Sequence, residues 1–256
     1  MEASRRLFST VSLGPNVESN ERASEIMADP DYAKYIRSVE FRGYGRTRYL
    51  RRMMAKLESR NVTTVSLSAL NLNEAVCLFS DENERAGLFA CVSQLTLDFR
   101  CFGGVDYPSF TVLWNEGLSR GCSNLSGQLP LLQTLQIGFH ALPGYDLPLL
   151  LCLARKDITK SLLSQNFARL ASLTLRNVIA TEDDLADFIN RHHKTLKSLT
   201  LRGMHFECAQ VVTWDKFGRR LPGVSEFIRS LNSKIRFKGL RIDGMITASE
   251  VAGLSL

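Results

Sequence analysis

Seven segments of this chain carry one spacing of apolar residues, apolar-x-x-apolar-x-apolar, and they follow one another in order. They are Ile36, Val39 and Phe41; Val62, Val65 and Leu67; Val92, Leu95 and Leu97; Leu132, Leu135 and Ile137; Leu170, Leu173 and Leu175; Leu196, Leu199 and Leu201; and Phe237, Leu240 and Ile242. The two cleanest run LASLTLRN from Leu170 and LKSLTLRG from Leu196. Successive starts lie 26, 30, 40, 38, 26 and 41 residues apart. In an extended segment alternate side chains share a face, so the fourth and sixth positions point inward together and the residues beside the central one point out.

A strand-sized motif recurring near this period, with helix-like stretches between copies, is the signature of leucine-rich repeats, whose period is about 20–29 residues. The longer gaps then carry loop insertions. The expected fold is α/β: a short irregular leucine-rich-repeat solenoid. It would have a parallel curved sheet on the concave side, with helices and loops on the convex side. Each unit has an apolar strand edge and an apolar helix stripe that it cannot bury alone, so stacking supplies the core. Residues 1–35 are expected to form a lead-in, and residues 36–256 a solenoid of about seven units.

The connecting segments support this. Between Leu175 and Leu196, Thr181 is placed to cap a helix, with Glu182, Asp183 and Asp184 in its first turn. Arg191, His192, His193 and Lys194 fall in the last turn, where cations complement the helix dipole. Leu185, Phe188 and Ile189 form its apolar stripe. Other helices are expected near 20–27, ending at Asp29-Pro30, and over 47–60, 109–118, 148–164 and 224–231, with a last one covering the seventh strand from Met245.

Composition narrows the function classes. No run approaches the roughly 18 apolar residues of a membrane span. Six scattered cysteines form no Cys-x-x-Cys pair, which reads as reduced, buried thiols in a cytoplasmic or nuclear protein. The N-terminus has the arginines and hydroxyls of a mitochondrial presequence, but Glu2, Glu18, Glu21 and Glu25 argue against one. The chain has no Gly-rich phosphate loop and no nucleophile elbow. The acids 182–184 are explained as helix-start anions without a metal. His140 and His205 follow strands with no evident partner. No catalytic residue, cofactor or metal ligand is therefore expected.

Candidate sites lie on surfaces. The alternation predicts an exposed column of Glu40, Ser66, Thr96, Gln136, Thr174, Thr200 and Arg241. Beside it runs a second: Arg42, Ser68, Asp98, Gly138, Arg176, Arg202 and Asp243. Arg176 and Arg202 occupy equivalent positions about one strand spacing, roughly 5 Å, apart. Such a pair needs an anion between or beside it; Asp98 and Asp243 are candidate internal partners, and an acidic group of a protein partner is the alternative. The net charge of +6 is concentrated elsewhere: Arg42, Arg46, Arg48, Arg51, Arg52, Lys56 and Arg60 face one acid, Glu58, leaving 25 basic and 25 acidic residues in the rest of the chain. This basic segment, interleaved with Tyr44 and Tyr49, is either a solvated helix face or a site for an acidic surface or nucleic acid.

The segments Ser4–Leu13 (SRRLFSTVSL) and Tyr32–Phe41 (YAKYIRSVEF) resemble the region that follows the F-box in fungal F-box/leucine-rich-repeat proteins. The stretch 167–206 is similar to the repeats of that family. The resemblance implies an adaptor: the F-box docks onto the Skp–cullin ubiquitin ligase, and the repeat face recruits a protein substrate. The F-box itself should lie before Ser4, where this sequence has three residues. Docking to the ligase is thus expected only of a longer parent chain.

Overall fold

The structure, a computed structural model, describes residues 9–14, 16–42, 62–70, 89–100, 125–140, 149–207, 239–243 and 246–247; side chains are described except at 149–155 and from 205 onward. In order these form β1 (Thr10–Leu13), α1 (Val17–Ala28), α2 (Pro30–Ala33), β2 (Ser38–Arg42), β3 (Thr64–Leu70), β4 (Gln94–Phe99), α3 (Leu125–Gln128), β5 (Thr134–Phe139), α4 (Leu149–Leu163), β6 (Ser172–Arg176), β7 (Ile179–Thr181), α5 (Glu182–Arg191), β8 (Ser198–Arg202), β9 (His205–Glu207), β10 (Gly239–Asp243) and β11 (Ile246–Thr247).

The chain is an α/β protein with an eight-stranded sheet in the order β1-β2-β3-β4-β5-β6-β8-β10. Every adjacent pair is parallel. Strand order follows chain order because each strand meets the same pattern in its neighbour: Leu173 lies opposite Leu199, and Leu175 opposite Leu201. The inward positions are buried in each described copy, from Ile36, Val39 and Phe41 through Leu196, Leu199 and Leu201, and form one continuous core. The polar residues between them stay half-buried on the other face.

The sheet begins one strand earlier than the sequence reading placed it. Within the expected lead-in, Val11 and Leu13 are buried and pair in register with Val39 and Phe41. Helix α1 then runs as its pattern requires, with Ala23 and Met27 buried. Asn16 caps its start, and Asp29 ends it and caps the short α2 that begins at Pro30.

A second sheet, β11-β9-β7, is also parallel. Two residues separate β6 from β7, and likewise β8 from β9. The chain therefore turns a corner at Asn177 and Gly203, both left-handed (φ 53° and 56°). Ile246 and Thr247 pair with β9, so strand replaces the helix expected at that point. The helix expected over 148–164 is α4; those expected over 47–60, 109–118 and 224–231 lie outside the described residues. Helix α5 packs on α4 and β7. Its Leu185, Phe188 and Ile189 are buried, and Thr181 Oγ1 accepts the Asp184 N–H at 3.0 Å.

Candidate functional site

Parallel pairing lines up the first predicted column. Glu40 lies opposite Ser66, Ser66 opposite Thr96, Thr96 opposite Gln136, Gln136 opposite Thr174, and Thr174 opposite Thr200. Thr200 is followed by Arg241. Strand β1 extends the row to Ser12, whose hydroxyl donates to Glu40 Oε2 at 3.2 Å. A parallel row lies two residues earlier on each strand: Ser38, Thr64, Gln94, Thr134, Ser172 and Ser198. From β3 to β6 both rows consist of uncharged hydroxyls and amides. Such a face offers donors and acceptors without a fixed charge pattern.

The second predicted column is interrupted. Arg42 is exposed and lies opposite Ser68, and Asp98, Gly138, Arg176, Arg202 and Asp243 follow one another across β4 to β10. Between β3 and β4, however, pairing shifts after Leu67 and resumes at Leu70 opposite Phe99, so Ser68 and Asp98 are not partners. The cause is Ala69, left-handed at φ 56°, which adds a residue to that edge.

Asp98 is not displayed as expected; it is buried among its own partners. Its Oδ2 receives His140 Nε2 at 3.0 Å and Arg176 Nη2 at 3.4 Å. His140 therefore has the partner that its local sequence did not suggest. Gly138 makes this possible. A Cβ there would stand 2.7 Å from Asp98 Oδ1 and 3.2 Å from Arg176 Nε, so the guanidinium crosses the space a side chain would fill. Arg176 Nε is buried without a hydrogen-bond partner, while 36% of the side chain stays exposed. Arg176 is thus anchored at one edge and open at another, with Arg202 on the next strand.

His192 departs from its expected role as a helix-end cation. It is buried, its Nδ1 donates to the Phe188 carbonyl at 2.7 Å, and its Nε2 accepts the Phe167 N–H at 2.9 Å. Burial holds its pKa below the ordinary value, with the Arg191 charge acting the same way and the Phe188 bond opposing both. It is a neutral structural bridge. His193, exposed, bonds the Asn190 carbonyl.

Arg46, Arg48, Arg51, Arg52, Lys56 and Arg60 lie outside the described residues. Cys91, the one cysteine whose side chain is described, is a half-buried free thiol. Among the described residues no three His, Cys, Asp or Glu side chains gather to hold a metal, and no helix is long and apolar enough to cross a membrane. No protein-family model and no curated protein sequence matches the chain.

Proposed function

We propose that this chain is a non-catalytic protein-recognition module, a leucine-rich-repeat-type solenoid whose polar sheet face holds a protein partner. In this reading it is the substrate-binding part of an F-box-type ubiquitin-ligase adaptor working in the cytoplasm or nucleus. The ligase itself is engaged only through an F-box in a longer parent chain.

The observation that carries the proposal is the unbroken row from Ser12 to Arg241, in register across eight strands. An internal sheet surface would be apolar; this one is polar on each described strand. Uncharged groups over its middle and arginines toward β6 and β8 suit a partner surface rich in hydrogen-bonding groups with an acidic residue above Arg176 and Arg202.

The test is site-specific photocrosslinking in cells. A photoreactive residue at Thr174 or Thr200 should capture a discrete partner, and one at Asp187, exposed on α5, should not. Introducing Arg176→Glu with Arg202→Glu should abolish the capture. Equal capture from both positions, or none from the sheet face, would reject the proposal.

A further inference from the structure

A different surface lies at the outer edge of β1. Strand β1 ends the sheet and pairs only with β2 among the described residues. Ser9 turns its carbonyl to β2, where it accepts the Ser38 N–H at 3.0 Å. In a parallel strand the N–H and C=O of one residue point the same way, and successive residues alternate. Val11 and Leu13 therefore face β2, while Thr10, Ser12 and Gly14 turn both backbone groups to the open edge.

The chain itself shows what this edge accepts. At Gly14 the edge is closed by the Asn20 side chain: Gly14 N–H donates to Asn20 Oδ1 at 3.0 Å, and Asn20 Nδ2 donates to the Gly14 carbonyl at 2.8 Å. Asn20 is buried, and its one carboxamide gives Gly14 the acceptor and the donor that two successive peptide groups of a parallel ninth strand would give. Among the described residues Thr10 and Ser12 have no such substitute. They form one wall of a groove whose other wall is α1, with Ser19, Arg22 and Ile26. Ile26 packs beside the core and gives the groove an apolar floor together with Val11.

We propose that this groove takes an extended segment of a partner protein, added parallel to β1 as a ninth strand. That segment alternates polar and apolar residues, as each strand of the sheet does. Its backbone would satisfy the outward groups of Thr10 and Ser12, and an apolar side chain beside Val11 would reach Ile26. An exposed edge with unpaired N–H and C=O groups is the usual template for such addition. This inference is independent of the partner proposed for the sheet face.

The probe is the acetylated, amidated peptide Ser-Leu-Thr-Leu-Arg. This sequence already pairs with a copy of itself in parallel register, at β6 and β8. The full chain is followed by amide hydrogen exchange. Millimolar peptide should slow exchange at Thr10 and Ser12 by about tenfold while Val11 and Leu13 stay as they were. Ser12→Pro removes one outward N–H and no backbone bond to β2; it loses the hydroxyl contact with Glu40, as Ser12→Ala also does, and should abolish that protection. Ser12→Ala, which keeps the N–H, should not. If Ser12→Pro fails to fold, Thr10→Pro serves in its place. No protection by the peptide overturns the proposal. So does protection present without peptide, whether it grows with chain concentration, marking a second copy, or does not, marking the chain's own segment.

Discussion

The Asn177 carboxamide occupies the space that a side chain on Gly203 would need: a Cβ at Gly203 would lie 2.2 Å from Asn177 Oδ1. The two residues hold equivalent corners on neighbouring strands. Asn177 N–H also donates to the Arg202 carbonyl at 2.8 Å, and its Nδ2 donates to the Phe139 carbonyl at 2.9 Å. One asparagine thus ties β5, β6 and β8 together at the point where the chain leaves the main sheet. Gly203→Ala meets both a left-handed backbone and this carboxamide, and should cost about 1–3 kcal/mol. Chemical denaturation would measure it; a neutral result would mean that the corner is looser than described.

Gly138→Ala should also destabilise, although alanine in place of glycine ordinarily favours a strand. The added Cβ would press on Asp98 and displace Arg176. We expect a loss of about 1 kcal/mol, because Asp98 can yield only by giving up His140 or Arg176. Combining it with Asp98→Ala should remove most of the added penalty in a double-mutant cycle. Additive effects would disconnect the two positions.

Stability should fall in mild acid because of His192. Burial keeps its folded pKa below the unfolded value, so the fold binds the proton less well than the unfolded chain does. Its contribution is therefore complete above the unfolded value of about 6.5 and is lost as pH falls toward the folded pKa. Protonation at Nε2 would set an N–H against the Phe167 N–H. His192→Ala should cost about 2–4 kcal/mol at neutral pH by leaving two buried backbone groups unpaired. It should also flatten the decline of melting temperature between pH 7 and pH 5. An unchanged decline would assign the acid sensitivity elsewhere.

Thr181→Ala should cost about 1 kcal/mol, the usual loss for removing a helix cap. Its hydroxyl both accepts the Asp184 N–H and donates to Asp184 Oδ2 at 2.8 Å. Thr181→Ser should recover most of that stability in thermal melts, and failure to do so would point to packing rather than the cap.

The polar columns were readable because a strand alternates strictly and the apolar motif fixes its phase. Strand β1 was equally readable: Phe8, Val11 and Leu13 repeat the motif 28 residues before Ile36, within the repeat period. His192 had a signal too. It continues the stripe of Leu185, Phe188 and Ile189 at the i+7 position, which puts it on the buried side of α5. The short second sheet left no pattern, because two or three residues show no period. Asp98 and His140 meet across strands, with His140 two residues beyond Gly138, the residue aligned with Asp98, and such diagonals appear only once register is known.

Strands β6 and β8 have the same five residues, Ser-Leu-Thr-Leu-Arg, and pair with each other. Either could therefore present the same edge to β5 or to β10. Excising residues 172–197 would join Ala171 to Ser198 and leave β5 beside an identical sequence. The strand chemistry of the main sheet thus leaves its length open at this point, while the packing of α5 on α4 and the pairing of β7 with β9 hold the excised segment in place.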